Sequence, residues 1–156
     1  MWQALTDTLD KLGATYDDLA VLAEKKYSAL VNVDMKNLSA LLDEEKAIIT
    51  KINKLEQKRL ELFKDLSKSA EAMSAEDFYK SAPAPVSEKL FGLHERLVKN
   101  VQRALKLRDD NQVLAQCALD SAQMRLNKLG GATIEPTYSG KGSDIVTHQK
   151  NFDFMA

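Results

Sequence analysis

Proline and glycine are scarce in this chain, three and six residues out of 156, and five of the six glycines lie at or beyond position 92. A sequence so poor in breakers is helix-rich and punctuated late. There is a single cysteine, Cys117. It cannot form an internal disulfide, and no thiol partner or metal-ligand spacing surrounds it, so a cytosolic location is the simplest reading. The first residues, Met1 to Asp7, have no basic start and no long apolar run, and neither a signal peptide nor a transmembrane helix is expected. Charge of one sign is also lacking. A net charge of −1 argues against a dedicated nucleic-acid binder, which needs a concentrated excess of Lys and Arg. Between Ser87 and Leu129 eight basic residues stand against five acidic ones, but they are interleaved with Asp109, Asp110 and Asp120 and read as a solvated helix face.

What is present is periodicity. With 44% hydrophobic and 29% charged residues the chain can bury one sizeable core. From Asp34 to Leu66, apolar residues recur at alternating spacings of three and four: Leu38, Leu41, Ile48, Ile52, Leu55, Leu62 and Leu66. This marks one buried side of a long helix, roughly 45 to 50 Å in reach. Glu45 and Arg59 occupy positions in the row where an apolar side chain belongs. They lie too far apart to pair with each other, so each needs a partner on another helix or a place near an exposed flank. A similar but narrow seam runs from Trp2 through Leu5, Leu9, Leu12, Tyr16, Leu19 and Ala23 to Leu30, interrupted by Lys26, with Trp2 as an end plug. The short link around Val31–Val33, with Asp34 as N-cap, makes the two helices an antiparallel hairpin.

After Leu66 the sequence turns small and polar. Ser74-Ala75-Glu76-Asp77 resembles a capping motif for a short helical turn, whose Phe78 and Tyr79 tuck the crossover onto the bundle. Ala82-Pro83-Ala84-Pro85 reads as extended, with Ser87 capping a third long helix that stops at Gly130-Gly131. Four heptad lines of that helix are mainly apolar and cover an arc of about 160°. It must touch more than one neighbour. Either it packs on both members of the hairpin, or a flank near its C-terminal end, chiefly Leu119, Met124 and Leu126, is kept for an amphipathic segment of a partner. From Ala132 the helical period is lost, up to Phe152-Asp153-Phe154-Met155, which either docks on the chain's own bundle or is offered to another protein. The expected fold is therefore all-α: an elongated antiparallel bundle of three long helices with a short helical crossover, a bundle domain over 1–130 and a flexible C-terminal tail over 131–156.

No catalytic constellation emerges from the two histidines, His94 and His148, the single cysteine and the scattered carboxylates. A di-iron bundle needs Glu-x-x-His on two helices, but Phe91 and Ile145 precede the histidines by three. Gly130-Gly131 lacks the strand and the Lys-Ser/Thr of a phosphate loop. Neither an enzyme nor a cofactor is expected. A protein that holds another protein is the reading that remains.

In its order of parts the chain resembles the FlgN flagellar export chaperones. The likeness is carried by Tyr16-Asp17-Asp18-Leu19 in the first helix, and by Leu38, Leu41-Leu42, Glu44-Glu45-Lys46, Ile49, Ile52, Leu55-Glu56 and Arg59 in the second. Leu107, Asn111 and Leu114 carry it in the third, and Thr137-Tyr138-Ser139-Gly140-Lys141-Gly142 in the tail. The resemblance implies a cytoplasmic bacterial chaperone that binds the C-terminal segments of hook-filament junction proteins, the hook-associated proteins of FlgK and FlgL type. It would keep them unassembled and deliver them to the flagellar type III export gate. It further implies client binding near Leu114, Leu119, Met124 and Leu126, and export-gate docking at Tyr138. Phe152-Asp153-Phe154-Met155 matches nothing in the family pattern. The alternative is a structural bundle whose seams pair with copies of itself, a homo-oligomer without a client.

Overall fold

A computed structural model of the protein describes residues 1–67 and 73–130, and these form four helices: α1 (Trp2–Val31), α2 (Met35–Ser67), α3 (Ala75–Lys80) and α4 (Ala84–Gly130). The protein is all-α, with no strand among the described residues. The expected tail over 131–156, with Tyr138, Phe152, Phe154 and Met155, lies outside them, as does the start of the crossover at 68–72.

The helix boundaries follow from local chemistry. α1 closes with the Asp34 amide donating to the Ala29 carbonyl at 2.9 Å and the Val33 amide to the Leu30 carbonyl at 3.3 Å, the paired bonds of a Schellman end. Asp34 then starts α2, its Oδ1 accepting from the Asn37 amide at 3.1 Å, as an N-cap does. Ser74 caps α3 in the same way, accepting from the Asp77 amide at 3.1 Å while its hydroxyl donates to the Asp77 carboxylate at 2.8 Å. α4 begins three residues earlier than expected, and Ala84 and Pro85 are helical rather than extended. The first turn of a helix has no partner for its amides, so a proline there removes nothing. The Pro83 carbonyl accepts from both Val86 and Ser87 and starts the helix.

The backbone divides into two compact units, Met1–Leu22 with Asp43–Leu105, and Ala23–Leu42 with Lys106–Ala156, of which the second is described as far as Gly130. The first unit holds the large-side-chain core: Leu5, Leu9 and Leu12 of α1, Ile52 of α2, Phe78 and Tyr79 of α3, and Leu90 and Leu97 of α4. Each fully buried leucine contributes about 1.5 to 3 kcal/mol of transfer free energy. α3 fills the end of this core, Phe78 lying 5.2 Å from the Trp2 ring and 4.2 Å from Phe63 between centroids. Trp2 is thus part of an end plug, and Phe78 and Tyr79 anchor the crossover as expected.

The packing changes one expectation, the width of the buried face of α1. α1 and α4 run parallel in this unit, because Asp10, Gly13 and Asp17 meet Arg96, Asn100 and Arg103 in rising order. α2 opposes them and ends beside Trp2, since Phe63 and Trp2 both pack on Phe78, and α3 caps that end before α4 starts. The buried face of α1 is wide rather than narrow, taking in Thr6, Thr8 and Thr15 as well as the leucines. Each threonine hydroxyl donates to the carbonyl four residues back, which satisfies it within the helix and lets it enter the core.

Candidate functional site

The second unit is built differently. Its buried apolar residues are Ala23, Ala29, Leu41 and Ala115, so only one large side chain is withdrawn from water. Alanine lets helices meet but leaves larger neighbours outside. Lys26 and Asn111 are buried among them. Lys26 and Glu45, polar interruptions of the two hairpin seams, are both buried and both have partners. Asn111 donates from Nδ2 to the Ala23 carbonyl at 2.9 Å, tying α4 to α1 within this unit.

Beside these alanines α1 and α4 leave a half-open groove of about 540 Å³, lined by Tyr27, Leu107, Val113, Leu114 and Cys117, with Glu24 and Asp110 supplying carboxylates. Tyr27 and Val113 are 47% and 65% exposed. Further along α4, Met124 is 46%, Leu126 64% and Leu129 86% exposed. Of the fifteen large hydrophobic residues exposed among the described residues, eight belong to this smaller unit.

The four candidate residues from the sequence do not share one face. At about 100° per residue, Leu114 and Met124 fall on the side of α4 that carries Cys117 and the groove, whereas Leu119 and Leu126 point away by roughly half a turn. Leu114 is half-buried in the groove wall and Leu119 is half-buried on the other side. The sequence reading missed Tyr27, Val113 and Cys117 as lining residues. The available signal was an aromatic standing off the α1 seam, at a spacing that matches no seam position.

The first unit has a smaller half-open cavity, about 240 Å³, lined among others by Glu56, Arg59, Tyr79 and His94. Tyr79 Oη and His94 Nδ1 share a hydrogen bond of 3.1 Å. Burial is the main influence on the Tyr79 hydroxyl and pushes its pKa above 10.0, with Arg59 opposing and Glu56 adding. Arg59 finds its partner on its own helix, not on another one: Nε lies 2.8 Å from Glu56 Oε2. The chain gains from this cluster an anchor for α3, since Tyr79 also packs edge-on against Phe91. Among the described residues no group of His, Cys, Asp and Glu could hold a metal, and no helix is long and apolar enough to cross a membrane.

One unit with a core of large side chains, and another with a mainly alanine core and with Val113, Met124, Leu126 and Leu129 exposed, define an all-α protein that presents apolar helix surface. The family model for FlgN protein matches residues 1–144. The chain belongs to the FlgN family, whose members are chaperones of flagellum assembly and export rather than enzymes. No curated protein and no solved structure matches the chain.

Proposed function

We propose that this chain is a cytoplasmic chaperone for the C-terminal segments of hook-associated junction proteins of FlgK and FlgL type, which it holds unassembled and hands to the type III export gate. The observation that supports this most is the contrast between the units: the first buries Leu5, Leu9, Leu12, Phe78 and Leu90, whereas the second has a mainly alanine core and leaves Tyr27, Val113, Met124, Leu126 and Leu129 exposed. A client segment that is disordered when free could lay an amphipathic helix along that surface, with its apolar anchors spaced by one turn. The ordering entropy it loses keeps the complex reversible. In this reading Leu114 and Met124 hold the client on the groove face, Leu119 and Leu126 offer a second strip, and Tyr138 docks at the gate.

Calorimetric titration with a junction-protein C-terminal peptide separates these roles. Val113→Asp with Met124→Asp should weaken binding by at least about tenfold, since two desolvated anchors are lost, while the melting temperature stays close to that of the parent. Leu119→Asp with Leu126→Asp should weaken it less. If neither pair changes the affinity, the client does not sit on α4. Tyr138→Ala should bind the peptide as the parent does and lower export of the junction protein from cells. The competing scaffold reading requires a concentration-dependent mass in sedimentation and no peptide binding.

A further inference from the structure

The groove of the second unit has a candidate occupant in the same chain. We propose that Phe152 and Phe154, in the segment His148–Met155, dock into the groove between Tyr27, Leu107, Val113, Leu114 and Cys117, so that the chain covers its own apolar surface. The groove volume of about 540 Å³ is within the range of sites that enclose a small ligand, enough for two aromatic side chains. The segment supplies Phe152, Phe154 and Met155 at the end of a run from Ala132 to Asn151 that is mostly polar.

Reach agrees. Leu114 lies sixteen residues before Gly130, about 24 Å along α4. The twenty-two residues from Gly130 to Phe152 extend to at most roughly 75 Å, so the segment returns to the groove with chain to spare. Glu24 and Asp110 border the groove, and His148 and Lys150 stand four and two residues before Phe152. Asp153 between the two phenylalanines balances Lys150, so the aromatic rings and not charge select this segment. The family match ends at residue 144. The docking segment lies beyond the matched residues.

Docking stands without any client. Its use, as a guard that a client must displace, rests on the chaperone reading above. Cys117 reports on both, because it is the only cysteine, is exposed and lines the groove. With an effective concentration on the order of 1 mM, a segment dissociation constant at or below that value keeps at least about half of the chains docked. Maleimide labelling of Cys117 in the full chain should then be at least about twofold slower than in Phe152→Ala/Phe154→Ala, and a peptide of residues 148–156 should slow the variant again. Equal rates in parent and variant overturn the docking. Slowing that grows with protein concentration also overturns it, since the occupant is then a second copy's segment. Where labelling differs, tighter binding of a junction-protein peptide by the variant supports the guard. Unchanged peptide affinity there leaves docking in place and removes the client from this groove.

Discussion

Val33 is the residue whose backbone is at odds with its side chain. Its φ of 53° places a β-branched residue in the left-handed region, at the position after a helix where glycine normally sits. The Schellman bonds from Val33 and Asp34 hold it there, at a cost of about 1 to 2 kcal/mol. Its side chain is 73% exposed, so little packing offsets that cost. Val33→Gly should therefore stabilise the chain by about 1 kcal/mol, the relief of strain exceeding the entropy that glycine adds to the unfolded state. A thermal melt should show this as a rise of roughly 2 to 4 °C. A lowered melting temperature would mean that residue 33 leaves the left-handed conformation in solution.

Among the elements, α1 has the most to reveal. Gly13 lies in its interior, its carbonyl accepting from Asn100 Nδ2 at 2.8 Å, and a Cβ built there meets only the Arg96 side chain at 3.8 Å. Gly13→Ala should gain about 1 kcal/mol in urea unfolding, because the helix recovers propensity without a clash. A loss instead would show that Arg96 cannot yield. α1 also shows what sequence patterning sees and what it overlooks. The heptad row of α2 was legible: Leu41, Glu45 and Ile52 are buried, and Leu38, Ile48, Leu55, Leu62 and Leu66 are partly so. The same reasoning made α1 too narrow, since Thr6, Thr8 and Thr15 count as polar in a pattern but satisfy their hydroxyls on their own helix. Pro85 misplaced the start of α4 for a similar reason, a residue type standing in for a position. The broad apolar arc of α4 was also legible, and Leu107, Leu114 and the exposed Met124 and Leu126 lie along that helix. What faces it was not: periodicity tells which side chains leave a seam, and Tyr27 becomes part of a groove only once α1 and α4 are set side by side.

For the whole molecule, the two units should differ in how often they open. The first buries Leu5, Leu9, Leu12, Phe78 and Leu90 almost completely, whereas the second depends on alanines, Leu41 and the bond from Asn111 to Ala23. Native-state hydrogen exchange should give amides around residues 48–55 and 90–100 at least on the order of tenfold more protection than those around 27–38 and 113–126. A bound client peptide should close much of that gap. Uniform protection along α4 would show that the small-residue packing is as resistant to opening as the leucine core.

The alanine core has a consequence for how this protein can change over generations. The large side chains that are fully buried are concentrated in one unit, and on the chaperone reading proposed above those that contact a client lie in the other. Tyr27, Val113, Met124 and Leu126 are exposed, so substitutions there stay within a few tenths of a kcal/mol of neutral for stability. Their identities can drift with a partner, or be randomised in a selection for new partners, while the population of variants stays folded. On that reading foldability and recognition are inherited as nearly separate traits.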